Sequence, residues 1–456
     1  MAPLFRLTVT LRNEDAVVLR RCVEVLAPQV DRIVVVDDGS RDPSSRQLIL
    51  DMGSLPNVDV FIFHNNRGKR VGLRVGVEHL LATLNPTYMV TVDSDTIAHP
   101  GAVAAAVHEL ESNPDVGGTT ALVRARNWKT NLLTRLQDLR YANAFLWERA
   151  AYSQVGSVLC VCGSFTLWRS EVLANSVQRL TDQRFLGREC TYGDDRHLTN
   201  LALSDGWRVT LCETAVADTL VPGNVDHFRR QQVRWSKSFF RESLWALKNL
   251  PNGWAKTLTM LEISTWAIFS MVLLYSLVIR PLLTRDVFLV QIVLWVSVMS
   301  WARSVRFFDS RPEASRFDRG YSFVIAPLYG FLHLLVLLPL RAWAMVTLND
   351  TAWGTRAEVE VSGASEANAV DRVTRTAAAA DAEDETGEGS PPLRRASVAP
   401  EPRPNQGRSR RFVSNQVAGR SRFRPWTSIF PLAGSHHLHG GQRRTEGAVP
   451  GQDLLG

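Results

Sequence analysis

Cysteine is scarce in this sequence and forms no pattern. Its five residues, Cys22, Cys160, Cys162, Cys190 and Cys212, are odd in number and lack zinc-ligand spacing. A disulfide framework is therefore excluded, and the thiols read as reduced. A secretory leader is also missing from the start. Residues 1–10 place Arg6 inside their only apolar run and read as a strand. An even spread of charge is lacking too. The net charge is +7, but nine arginines and one acidic residue lie between Arg394 and Arg424, so that stretch alone exceeds the net excess. Beside apolar segments, such a stretch meets anionic lipid headgroups or is simply solvated; it does not ask for nucleic acid.

What is present is an alternation. Residues 4–11, 32–36, 58–63 and 88–92 are β-rich, and 17–26 and 72–84 have helical apolar spacing. This predicts an α/β domain over residues 1–222 with a doubly wound, mostly parallel sheet. Residues 131–152 predict one long amphipathic helix, 157–168 a strand broken by glycine, 194–203 a helix with carboxylates at its N-terminus, and 209–217 a strand. Residues 227–250, rich in Arg, Lys, Trp and Phe, suit a helix in a membrane interface, set here within 223–252.

Long apolar runs follow within 253–349. Residues 257–279 carry one charge, Glu262, and are long enough to span a bilayer; 287–302 are uncharged and marginal in length. Together they read as a transmembrane hairpin. The loop 303–319 holds five arginines against three acids, which places it in the cytoplasm. Residues 321–340 are apolar but interrupted by Pro327 and Pro339, and read as a re-entrant or interfacial segment. Residues 358–456 lack apolar periodicity and read as disordered; the histidines at 436, 437 and 439 there read as solvated, not as a metal site.

Two acidic motifs end apolar strands, where ligands sit in open α/β sheets. Asp93 and Asp95, one residue apart, can hold a hard divalent cation, Mg²⁺ or Mn²⁺, between protein and diphosphate; alone, the pattern is a common surface turn. Asp37 and Asp38 can accept from a nucleotide base or ribose, or close a turn before Gly39. Lys69 and Arg70 open a helix after a glycine and supply cationic donors, or form a solvated basic helix start. Asp194 and Asp195 are a candidate general base pair, or a helix N-terminal acidic pair. Gln231, Arg234 and Trp235 share a helix face and offer a diphosphate clamp and a stacking ring, or anchor an interface helix.

In order, the chain reads Asp37-Asp38-Gly39-Ser40, Asn66-Arg67-Gly68-Lys69-Arg70, Asp93-Ser94-Asp95, Cys160-Val161-Cys162-Gly163-Ser164, Gly193-Asp194-Asp195-Arg196, Gln231-Gln232-Val233-Arg234-Trp235 and Trp353-Gly354-Thr355-Arg356. Over roughly residues 4–356 it resembles the processive family 2 glycosyltransferases, in particular hyaluronan synthases and nodulation chitin oligosaccharide synthases. That resemblance implies a GT-A-like fold and membrane-bound synthesis of a β-linked amino-sugar glycan from UDP-sugar donors onto a growing acceptor.

It also implies residue roles. Asp95 is the closer metal ligand, with Asp93 beside it. Asp195 is the base, supported by Asp194. Cys162, Gly163 and Ser164 wall the acceptor site. Trp353 and Arg356 belong to a gating loop over residues 350–357. Two spanning helices make a thin wall for a polysaccharide channel, so extrusion calls for a homo-oligomer or a partner. Use of UDP-N-acetylglucosamine alone is the alternative to a hyaluronan-type pair of donors. A non-enzymatic membrane scaffold is the alternative of another class, and the intact acidic motifs argue against it.

Overall fold

The computed structural model describes residues 5–11, 14–285 and 289–349. Among the described residues there are ten strands: Phe5–Leu11 (β1), Arg32–Asp37 (β2), Val58–Ile62 (β3), Tyr88–Asp93 (β4), Ile97–Ala98 (β5), Val116–Ala125 (β6), Phe165–Arg169 (β7), Arg184–Phe185 (β8), Arg188–Glu189 (β9) and Arg208–Thr219 (β10). Eight form one sheet in the order β3-β2-β1-β4-β7-β6-β10-β5; β8 and β9 pair separately. The first four sheet neighbours run parallel, as do β6 and β10. Antiparallel β7 joins the two halves by pairing β4 and β6. All ten residues of β6 are buried, as befits a strand covered on both faces.

The segment read from sequence as one strand over 157–168 is corrected. Only Phe165–Arg169 is a strand. Upstream, side-chain hydroxyls take the amide groups that a ladder would use: Val161 N–H donates to Thr199 Oγ1 at 3.0 Å and Cys162 N–H to Thr120 Oγ1 at 3.1 Å. The result is a pinned loop that faces the carboxyl ends of β1 and β4. The predicted long helix is present from Leu132 to Gln154, with a π-helical stretch at Ala144–Arg149. Wider turns of this kind are frequent at functional sites.

Two described helices are long and apolar enough to cross a membrane, Trp254–Thr284 and Arg316–Val346. The described helix within the second predicted span, Leu289–Ser304, has 16 residues, short of the ~20 that a crossing takes. The apolar stretch is interrupted near Pro327, where Arg316–Val324 ends in a turn at Ile325, but stays helical through Pro339, which follows a π-helical stretch, His333–Leu337. Each sits in the first turn of a helical stretch, Ala326–Leu332 and Leu338–Val346, where a missing N–H is tolerated. Both ends of Arg316–Val346 touch the transferase half of the chain. Near its start, Asp318 pairs with Lys129 at 2.7 Å and Ser322 accepts from Arg135 at 3.0 Å. Near its end, the Arg341 guanidinium lies 4.9 Å from the Phe239 ring centroid. Just beyond, Arg188 donates to the Asn349 carbonyl at 2.7 Å.

A buried ionic knot fastens the loop before that helix to the sheet. Arg311 forks onto Asp138 at 2.6 and 2.7 Å. Arg124 on β6 pairs with Asp218 on β10 at 2.8 Å and donates to the Ser310 carbonyl at 2.9 Å. Removing one member would strand a buried charge, a change that costs about 3–5 kcal/mol.

Candidate active site

The cleft lies at the carboxyl end of β4, between the helix starts at Lys69 and Asp194; Asp37, Asp38, Asp95, Gln231, Arg234 and Trp235 are not among its lining residues. It encloses about 370 Å³, open to solvent, and its lining includes Lys69, Asp93, Gly163, Asp194 and Asp195. Three of the sequence motifs and one glycine from a fourth therefore converge.

Asp37 and Asp38 differ in use. Asp37 Oδ1 accepts from Ser40 N–H at 3.0 Å and from Ser40 Oγ at 2.5 Å, closing the turn before Gly39, whose φ is +76°. Its Oδ2 is buried without a hydrogen-bond partner among the described residues. An orphaned buried carboxylate oxygen at a strand end is an acceptor in want of an N–H. Asp38 instead takes the backbone N–H groups of Arg67 at 2.6 Å and Gly68 at 3.0 Å. It shapes the loop that starts the helix Lys69–Leu84.

On that helix the two basic residues part company. Lys69 Nζ donates to Asp93 Oδ1 at 2.5 Å and stands 3.3 Å from Asp194 Oδ2. Arg70 turns away from the cleft, which corrects its assignment as a nucleotide-binding donor. It is 4% exposed and is spent on the carbonyls of Leu180 and Tyr192 and on Gln183 Oε1. Nothing in the sequence separates the two, because a helix start presents neighbouring residues to opposite sides.

Asp95 Oδ1 accepts from Thr219 Oγ1, at the end of β10, at 3.0 Å. Asp93 and Asp95 provide hard oxygen donors that suit Mg²⁺ or Mn²⁺. No group of three or more His, Cys, Asp or Glu side chains able to hold a metal occurs among the described residues. Two carboxylates leave room for substrate phosphate and water in the shell of such an ion. Gly163 sits against Asp93 and Lys69: a Cβ there would lie 3.2 Å from Asp93 Oδ2 and 3.5 Å from Lys69 Nζ.

The helix Asp194–Ser204 starts after Gly193, at φ +77°, and carries both carboxylates in its first turn. They titrate in opposite directions. Burial and then the Asp194 charge push the Asp195 carboxyl above its ordinary value. Burial pushes Asp194 the same way, but Lys69 and then Arg70 outweigh it and hold the group low. Environments that drive paired acids apart are how acid and base roles are assigned. Burial also pushes the Cys160 thiol up to about 12 and raises Cys162, which keeps both protonated rather than nucleophilic; the Cys160 thiol donates to Asp195 Oδ2 at 3.9 Å.

Gln231, Arg234 and Trp235 lie on the helix Val225–Asn249. Trp235 is 44% exposed, and its ring stands 6.5 Å from that of Tyr141 on Leu132–Asn143, so a face is left for stacking. Gln231 Oε1 is buried with no partner among the described residues. Ser164 is buried in the pinned loop. Trp353 and Arg356 lie outside the described residues. Thr219, Thr120 and Thr199 were not foreseen, since a threonine in a strand or helix reads as packing.

Residues 2–238 match the model described as glycosyltransferase like family 2. The chain is 35% identical over 365 residues to a hyaluronan synthase of Streptococcus pyogenes, covering 76% of this chain and 82% of that protein. It is 30% identical over 366 residues to an N-acetylglucosaminyltransferase of Azorhizobium caulinodans, covering 78% and 88%. A solved mannosyltransferase from Pyrobaculum calidifontis, in complex with GDP-Man and Mn²⁺, is 17% identical with a TM-score of 0.48, covering 74% of this chain and 88% of that one.

Proposed function

Because the chain belongs to glycosyltransferase family 2, we propose that it is a membrane-bound, inverting, processive transferase that builds a β-linked amino-sugar glycan from UDP-N-acetylglucosamine and UDP-glucuronic acid. The observation that carries this reading is the convergence of Asp93, Asp194 and Asp195 on one cleft with Lys69 among them.

In this mechanism Asp37 Oδ2 accepts from the uracil N–H, while Asp38 holds the Arg67–Gly68 backbone in place. Lys69 supplies positive charge beside the diphosphate. Asp95 and Asp93 would hold the divalent cation, which when bound would neutralise charge on the departing nucleoside diphosphate. Arg234 and Gln231 bind the diphosphate side, and Trp235 stacks on the acceptor sugar. Asp195 takes the acceptor hydroxyl proton as that oxygen attacks the anomeric carbon and UDP leaves from the opposite face. Cys162, Gly163 and Ser164 wall the acceptor side. Trp353 and Arg356 are assigned to closing over the nucleotide.

The catalytic half works on the cytoplasmic side of a cell membrane. Trp254–Thr284 and the helix after it form the hairpin. Arg316–Val346 lies along the interface, a reading supported by the contact of both its ends with the transferase half. Acceptor glycan, membrane lipid and further copies of the chain are the partners.

The test uses detergent-solubilised protein with radiolabelled UDP-N-acetylglucosamine and Mn²⁺, with and without UDP-glucuronic acid. Polymer that needs both donors is the expected result. Polymer from the first donor alone assigns a chitin-type synthase. UDP release from neither donor overturns both readings.

A further inference from the structure

The loop that delivers Asp194 and Asp195 is held from behind by a buried cluster. The carbonyl of Tyr192, just before Gly193, accepts from two guanidinium groups: Arg70 Nη2 at 2.9 Å and Arg241 Nη2. Arg241 also lies 4.8 Å from the Tyr192 ring centroid and donates Nε to Glu242 Oε1 at 2.9 Å. Glu242 is fully buried and its acceptors are filled. Oε1 takes a second bond from Gln183 Nε2 at 2.9 Å, and Oε2 meets His197 Nδ1 at 2.7 Å. Its backbone carbonyl accepts from Asn200 at 3.1 Å. Gln183 closes the ring by accepting from Arg70 Nη1 at 2.7 Å.

These contacts reach the base from two directions. His197 and Asn200 belong to the helix that begins at Asp194, so Glu242 grips its first turns. Arg70 and Arg241 grip the carbonyl that precedes it. Gly193 allows the approach: a Cβ there would fall 2.1 Å from Ser238 Oγ and 2.9 Å from Arg241 Nη2. Arg70, Gln183, His197, Arg241 and Glu242 do not line the cleft. They therefore act on what the cleft presents. Burying two guanidiniums and a carboxylate costs several kcal/mol per ion unless geometry repays it; Arg70 Nε is left buried without a partner among the described residues, and the remaining bonds converge on the Tyr192 carbonyl and Glu242, which favours one loop conformation.

We propose that Arg70, Arg241 and Glu242 are positioning residues that set where Asp195 stands. Arg241 and Glu242 share the helix of Gln231, Arg234 and Trp235, so they also fix the base in register with the acceptor-binding face. The inference rests on the reading of Asp195 as the base.

The test is Arg241→Lys and, from the other side of Tyr192, Arg70→Lys, each in the full chain with Mn²⁺. Lysine keeps the charge but cannot serve two acceptors in a fixed fork. A loop displaced by about 1 Å predicts a kcat loss of about 100-fold. The KM for the UDP-sugar and the Kd for UDP should stay within about threefold, because Arg70 and Arg241 both end on the Tyr192 carbonyl, and Gln231 and Arg234 lie about two turns or more away along the helix of Arg241. A merely structural role would move kcat, KM and UDP affinity together. Full kcat in both variants, or UDP affinity falling in step with kcat, overturns the proposal. Should Arg241→Lys fail to fold, Arg70→Lys carries the test alone. A wild-type chain that transfers no sugar sinks the functional reading instead, which keeps the two failures distinct.

Discussion

Asp194 lies 3.3 Å from the ammonium of Lys69, and this contact separates two adjacent carboxylates that would otherwise titrate alike. Asp194 is held ionised, while Asp195, without so close a cation, is pushed toward a proton-accepting role.

Asp195→Asn should lower kcat by about 100-fold to 10,000-fold, the usual worth of a positioned base. UDP binding should persist, since the carboxylate is assigned to the acceptor hydroxyl. Retained polymer synthesis would refute the assignment.

The pH–rate profile should carry the same asymmetry. A base works only when deprotonated, so activity should fall as pH drops through the raised Asp195 value. Asp194→Asn removes the like charge, lowers that value and should move the acid limb to lower pH, by roughly one pH unit. Lys69→Gln removes a cation that favours ionised Asp195 and should move the limb to higher pH. Limbs that stay put in both variants would contradict the coupling.

Thr219→Val should weaken the metal. The hydroxyl donates to Asp95 Oδ1 at 3.0 Å, and valine keeps the shape without the donor. Loss of such an orienting bond to a ligand costs about 10-fold to 100-fold in metal affinity. Mn²⁺ titration of UDP binding measures it, with Asp95→Ala as the stronger case. Superimposable titration curves would exclude Asp95 from the ion.

Gly163→Ala should raise the KM for donor about tenfold, which corresponds to roughly 1.4 kcal/mol. The new methyl would stand 3.2 Å from Asp93 Oδ2 and crowd Lys69. Because the loop is pinned by Thr120 and Thr199, it has little room to withdraw. An unchanged KM would show that the loop yields.

Much of this site was legible because its chemistry sits at strand ends. An apolar run that stops in Asp-Asp or Asp-Ser-Asp announces both the strand and the acid, so Asp37, Asp93 and Asp95 could be placed before any coordinate. What escaped was side-chain direction at helix starts and contacts across long sequence distance. Arg70 and Lys69 are neighbours with opposite duties. Arg311 and Asp138 are separated by 173 positions and share no local signal. Glu242 was closer to view. With Gln231 and Ser238 it falls at i, i+7 and i+11, one face of the helix, so the period that singled out the Gln-Arg-Trp motif continues into the cluster behind the base. The membrane reading turned on prolines, whose effect depends on which turn of a helix they occupy.

Arg124 and Arg311 leave the transferase no slack against the loop that follows the shorter apolar helix. An assembly bolted there cannot rise or sink independently of its apolar footing. The distance between the cleft and that footing is therefore a fixed dimension of the molecule, set by two guanidinium groups.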